Sequence, residues 1–135
     1  MGISILIPAY NYPVALLVRA LVAQLPGSGK EAEIIVLDDG SDPSLLGDLG
    51  SLESLSYVGI FTNPTNQGRM AARLKLASLA KHEFLLFLDG DSEITRSNFI
   101  ARYFTEAEKN TPLVSGGRIY HKQPPADCNF RLHWK

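Results

Sequence analysis

Four short polar clusters in this sequence have the composition of a ligand site. The most informative is Asp89-Gly90-Asp91. Two carboxylates one small residue apart can share a cation and a ribose, and the glycine permits a tight turn with close ligand approach. Hard carboxylate oxygens suit Mg2+ or Mn2+, whose coordination is commonly completed by phosphate oxygens. An isolated Asp-Gly-Asp is more often an acidic surface turn, so the case rests on the buried, apolar run just before it. Asp38-Asp39 follows a second apolar run. An acid there can accept a hydrogen bond from a ribose or from a base N–H, and uracil offers one at N3. Asp-Asp-Gly-Ser is equally good turn chemistry, so the pair alone leaves both roles open.

Pro8-Ala9-Tyr10-Asn11 follows a third apolar run. Tyr10 can stack on a base while backbone groups bind its edge, or it can simply cover the sheet end. Asn11 is expected to cap the next helix in either case. Asn66-Gln67-Gly68-Arg69 opens a helix, where free N–H groups and the dipole attract anions. Arg69 and Arg73, four apart, share one helix face. They can reach a pyrophosphate or remain solvated.

The elements that must hold these clusters follow from periodicity. Residues 3–7, 33–37, 57–61 and 84–88 are short apolar runs that read as strands. Residues 14–25 repeat Val14, Leu17, Val18, Leu21 and Leu25 at helical spacing, with Pro13 near the first position and Pro26-Gly27 as the stop. Residues 43–55 suggest a short or broken helix. Residues 69–81 form an Ala- and Leu-rich helix expected to be largely buried, and residues 99–109 a further helix. Residues 113–115 read as a short fifth strand before Gly116-Gly117, and the text turns irregular from Lys122. Strands alternating with helices predict an α/β fold, with a mostly parallel central sheet and helices on both faces. In such sheets ligands bind beyond the carboxyl ends of the strands, which is where three of the clusters fall.

Composition narrows the function. The chain has 135 residues, net charge −1 and one cysteine, Cys128. That suits one domain, offers no global field for nucleic acid, and allows no internal disulfide. No apolar run reaches the length of a membrane span. Gly27-Ser28-Gly29-Lys30 only imitates a phosphate loop, because Gln24 and Glu31 stand where that pattern requires Gly and Ser or Thr. No G-x-G-x-x-G occurs. His82, His121 and His133 lack metal-ligand spacing, and neither Ser41 nor Ser92 sits in a nucleophile elbow.

Residues 3–11 resemble the opening strand of the family 2 glycosyltransferases. Residues 33–41 are similar to that family's second strand and acidic turn. Asn66-Gln67-Gly68 with Ala71-Ala72-Arg73 resembles the lead into its central helix, and Phe87-Leu88-Asp89-Gly90-Asp91 resembles its D-x-D motif. The family's Arg-Asn pair stands here as Arg73-Leu74. The resemblance implies a GT-A fold, a Rossmann-like sandwich that binds a nucleoside diphosphate sugar. It implies that Asp39 binds the base, usually uracil, with Pro8, Ala9 and Tyr10 around it. Asp89 would contact ribose or a metal-bound water, Asp91 would ligate Mn2+ or Mg2+, and Arg69 or Arg73 would lie near base or phosphates.

The family's general base is an acid further along the chain. Asp127, the only acid after Glu108, has a Cys-Asn context unlike the family's base motif. The base is therefore expected beyond Lys135. Residues 1–122 are expected to bind the donor and residues 123–135 to begin an incomplete acceptor-side region. The expected acceptor is a glycan or lipid-linked group, and the expected location cytoplasmic, with any membrane association through chain not present here. Two rivals stand behind this reading. One is a non-catalytic module that holds a nucleotide sugar. A more distant one is a nucleotidyltransferase, which wants a Gly- and Arg-rich loop after the first strand that residues 8–13 lack.

Overall fold

The computed structural model describes residues 1–25 and 31–114. Four strands appear close to where the apolar runs placed them: β1 (Gly2–Ala9), β2 (Glu31–Asp38), β3 (Val58–Thr62) and β4 (Phe84–Phe87). The helices are α1 (Ala15–Val22), α2 (Pro43–Leu46), α3 (Arg69–Leu79) and α4 (Phe99–Glu108), with a 3-10 turn at Gly50–Leu52. Among the described residues every strand pairing is parallel, and the order is β3-β2-β1-β4. The register sets Leu6 opposite Ile35 on one side and Phe87 on the other, and Ala9 opposite Asp38.

Side chains alternate across the sheet, so each face draws on every second residue. Ile3, Ile5 and Ile7 of β1 join Ile34 and Val36 of β2 on one face. That face is covered by Leu17, Val18 and Leu21 of α1 and by Ile100, Phe104 and Ala107 of α4. Leu6, Ile35 and Leu37 form the other face, under Ala72 and Leu76 of α3. Burial on both faces explains why the central strands are apolar without alternation.

The path of the chain creates the place for a ligand. From β1 it steps outward through α1 to β2 and on to β3. It then returns through α3 to lay β4 on the other side of β1. Right-handed crossovers in opposite directions put their helices on opposite faces, as α1 and α3 are. The reversal leaves a crevice between the carboxyl ends of β1 and β4, the usual ligand position in an open α/β sheet.

Several local expectations change. Asn11 does not cap α1. The position before that helix is Val14, with no side-chain cap, and Asn11 has a left-handed backbone (φ 49). Its side-chain Oδ1 accepts from Asp42 N–H (2.8 Å), and its own N–H donates to Ser41 Oγ (2.9 Å). A tertiary partner outcompetes the local cap. The helix over α3 is not largely buried: it buries only the stripe through Ala72 and Leu76, while Met70 and Leu74 are 70% and 66% exposed. One sheet face covers one stripe of a helix. Residues 43–55 do break, into α2 and the 3-10 turn, with Gly47 at φ 73 ending α2. Leu113 and Val114 lie in no strand, and Leu113 is 84% exposed. The stop at Pro26-Gly27, Ser115, Gly116-Gly117, the boundary between residues 122 and 123, Asp127 and Cys128 all lie outside the described residues.

Candidate functional site

The turn after β1 is the hub. On one side it meets the turn after β2, where Asp39 N–H donates to Ala9 O (2.9 Å) and Ser41 and Asp42 hold Asn11. On the other side it meets the turn after β4. Leu88 N–H extends the ladder to Leu6 O (3.0 Å), which delivers Gly90 against β1. A Cβ on Gly90 would lie 3.0 Å from Val14 Cγ1 and 3.1 Å from Pro8 O. Glycine thus lets the turn between the two acids approach β1 more closely than a side chain would without a shift of its neighbours. Pro8 is half-buried, Ala9 is buried, and Tyr10 presents an exposed ring (52%) at the rim.

Asp38 and Asp39 are both buried, at 5% and 3% exposure, and they do different things. Asp38 Oδ1 accepts from Ser41 N–H (2.9 Å), closing the turn. Asp39 turns its carboxylate to the loop before α3. Its Oδ1 accepts from Asn63 Nδ2 (2.7 Å) and Gln67 N–H (3.0 Å), and its Oδ2 from Gln67 N–H (3.1 Å) and Gly68 N–H (3.0 Å). The amides expected to await an external anion therefore already face an internal one, at the helix end where negative charge is favoured. A carboxylate has about four acceptor positions. Three donors in the chain leave Asp39 limited capacity for a ligand N–H.

The two loops are tied again at Gly40, whose φ is 75. A Cβ there would stand 2.6 Å from Asn66 N and Thr65 C. Asn66 and Arg69 themselves are exposed, and Gly68 is the residue before α3.

Arg73 joins α3 to the acidic pair. Its Nη2 donates to Asp89 Oδ1 at 2.6 Å, with the two side chains about one-third exposed (36% and 34%). The guanidinium carbon sits 5.8 Å from the centre of the Phe87 ring, within the range of cation–π attraction. Arg73 Nε is buried without a hydrogen-bond partner among the described residues. An orphaned donor of this kind costs about 1–3 kcal/mol. Asp91 is exposed at the crevice rim. Among the described residues no group of three or more His, Cys, Asp or Glu side chains could hold a metal.

The structure thus joins Pro8 to Asn11, Asp38, Asp39 and Gly90 around the β1 end, and it joins Arg73 to Asp89. Arg69 makes no such link. Sequence reasoning missed Asn63, Lys75 and Ser41. Asn63 is 5% exposed and just past β3. Its place at the end of a strand beside the Asp38 turn was the available signal.

A separate polar knot lies toward the amino ends of the strands. Glu33 Oε1 accepts from Ser4 Oγ (2.7 Å) and Lys81 N–H (2.7 Å), and His82 N–H donates to Ser4 Oγ (3.1 Å). Burial pushes the Glu33 carboxyl up. The hydrogen bonds from Lys81 and Ser4 and the charges of Lys81 and His82 more than offset this, holding it below its ordinary value.

Comparison with known proteins adds to this geometry. The profile described as Glycosyl transferase family 2 matches residues 4–134. The chain is 33% identical over 112 residues to an uncharacterized glycosyltransferase of Haemophilus influenzae, covering 82% of this chain and 42% of that protein. It is 28% identical over 123 residues to the uncharacterized glycosyltransferase YfnE of Bacillus subtilis, covering 90% and 31%. The fold is similar to Staphylococcus aureus TarS 1-349 in complex with UDP-GlcNAc, with TM-score 0.68 and 25% identity over 81% of this chain and 32% of that one. The TarS complex with UDP gives TM-score 0.66 and 26% identity over 82% and 33%. The chain spans less than half the length of these relatives.

Proposed function

This chain belongs to glycosyl transferase family 2, with a GT-A fold, and on that premise we propose that it forms the donor-binding part of a transferase. The donor is a nucleoside diphosphate sugar, specifically a UDP-sugar, and the acceptor a hydroxyl of a glycan or lipid-linked group. The observation that carries this reading is the meeting of three polar turns at the switch point of the sheet. TarS 1-349, about a third of which is similar in fold to most of this chain, forms complexes with UDP-GlcNAc and UDP.

In this reading Asp39 faces the base through its remaining acceptor capacity, and Tyr10 stacks on the ring. Asp89, oriented by Arg73, faces the ribose. Asp91 is the acid left exposed for a cation. Two acids one residue apart fit a divalent ion that keeps most of its coordination for water and phosphate, rather than one caged by protein. When bound, Mn2+ or Mg2+ would supply Lewis-acid stabilisation of the charge that develops on the leaving diphosphate. Arg73 brings positive charge to the same rim, and its unpaired Nε fits a role in that polar site. The acceptor hydroxyl attacks the anomeric carbon, the diphosphate leaves, and a base takes the hydroxyl proton. We place that base outside the described residues, in the acceptor-side part of the protein.

The test is calorimetric titration of UDP into the chain with Mn2+, then with EDTA. Saturable binding that weakens by at least about tenfold in EDTA and in Asp91→Asn is expected, the scale on which metal-site changes act. A folded sample that binds no UDP under either condition would sink the donor-binding reading. Equal affinity with and without metal would remove the cation role of Asp91.

A further inference from the structure

Beside Asp39 lies a network that runs from buried Asn63 out to Lys75, whose side chain reaches the surface. Asn63 donates through Nδ2 to Asp39 Oδ1 (2.7 Å), and its own N–H donates to Asp38 O (2.8 Å). Its Oδ1 accepts from Lys75 Nζ on α3. We propose that Lys75 and Asn63 are positioning residues that set the Asp39 carboxylate, and through it the choice of base. The proposal rests on the reading of Asp39 as the base acceptor.

The chemistry allows the amide only one orientation. An ammonium has donors and no acceptor, and an ionised carboxylate has acceptors and no donor. Turned over, the Asn63 amide would set NH2 against NH3+ and its oxygen against Asp39. Lys75 therefore holds Oδ1 on its side and directs Nδ2 at the carboxylate. The consequence passes along the line, because the same Asp39 oxygens receive Gln67 and Gly68 N–H. With Oδ1 shared by Asn63 and Gln67, little freedom of rotation remains. Such linked polar groups are fixed together or loosened together. Lys75 immediately precedes buried Leu76 and lies one turn before partly buried Leu79, on a helix anchored by Ala72 and Leu76, so its backbone is held while its head group reaches the loop.

The base consequence is specific. Uracil presents an N3–H to a carboxylate. Cytosine presents a lone pair at N3, which a fixed carboxylate repels. A carboxylate free to turn away loses that contrast.

Two measurements on the full chain test the idea. The first is amide exchange by NMR in the free protein, which needs no nucleotide. Lys75→Met should speed exchange of the Gln67 and Gly68 amides by about tenfold, the scale of one charged hydrogen bond lost. Lys75→Arg, which keeps a donor, should restore most of it, and Leu76 N–H should not change. Unchanged exchange at Gln67 and Gly68, or acceleration spread equally over α3, overturns the relay. The second is the UDP to CDP affinity ratio with Mn2+. Wild type should favour UDP, and Lys75→Met and Asn63→Asp should bring the ratio toward one while the melting temperature of Lys75→Met holds. A wild-type chain without preference removes Asp39 as base acceptor, and the exchange result still decides the relay. A preference unchanged in Lys75→Met overturns the proposed effect on base choice even where the base reading stands.

Discussion

Asn11 shows how a single residue serves the site by declining its local role. Its sequence neighbourhood, Asn11 with Pro13 two residues on, is a fair helix start. The structure instead uses its left-handed backbone and two hydrogen bonds to fasten the β1 turn to Ser41 and Asp42. Asn tolerates that backbone where most side chains do not. Asn11→Ala should then cost about 1–3 kcal/mol from strain and the lost Asp42 N–H to Oδ1 hydrogen bond, and Asn11→Gly should recover the strain part. Urea denaturation of the pair measures both, and an alanine variant as stable as wild type would show that the turn does not depend on Asn11. Gly90 is the complementary case. Adding a methyl against Val14 and Pro8 O should cost about 1–3 kcal/mol as overpacking does. It should also lower UDP affinity, by parting Asp89 and Asp91 from the end of β1. The three acidic and aromatic clusters were legible because residue type and strand-end position suffice to find them. Asn63 and Lys75 were not, because Asn63 bonds to Asp39, 24 positions away in sequence, and Lys75 to Asn63, 12 positions away.

At the scale of elements the strands were legible and the helix faces were not. Parallel strands buried on both sides leave a near-continuous apolar run, as β1 and residues 34–37 of β2 do; β4 is equally apolar, but one of its faces is open, with Leu85 and Phe87 exposed. A helix signature says that an apolar stripe exists, not how wide a surface will cover it. The Ala and Leu content of α3 suggested a largely buried helix, yet only the stripe at Ala72 and Leu76, continued by partly buried Leu79, is packed. Leu76→Ala should therefore cost about 2–5 kcal/mol, while Leu74→Ala, at 66% exposure, should stay within about 0.5 kcal/mol. Equal losses would mean that α3 is covered on both sides. The Glu33 knot makes a pH prediction for the same layer. Its folded carboxyl lies below the ordinary value. Its contribution is present above the unfolded value of about 4.3 and is lost as pH falls through the folded value. Glu33→Gln should be less stable than wild type at neutral pH, and the gap should close in acid. A gap independent of pH would assign the loss to packing rather than charge.

For the whole molecule, the reversal of strand order at β1 brings the parts of the candidate site together. Strand order β3-β2-β1-β4 brings turns from residues 8–12, 38–42 and 89–92 to one rim, though they are far apart in sequence. Composition and alternation predicted the parallel sheet, but no local pattern states on which side of β1 the strand β4 docks. That choice follows from α3 crossing the opposite face to α1 with the same hand. If the rim is one site, its parts must respond together. UDP with Mn2+ should slow amide exchange in all three turns and in the loop over residues 63–68. The knot of Ser4, Glu33 and His82 toward the other end of the strands should exchange as before. At a free ligand concentration one hundred times Kd, linkage stabilises the chain by about 2.7 kcal/mol. Exchange through global opening would slow everywhere by that factor, so the comparison belongs to amides that open locally. Protection confined to residues 89–92 would mean a cation site without a base pocket. Protection of residues 38–42 and 63–68 alone would mean a base pocket that the acidic pair does not share. Only simultaneous protection fits a nucleotide lying across the end of β1, with its base toward Asp39 and its diphosphate toward Asp91.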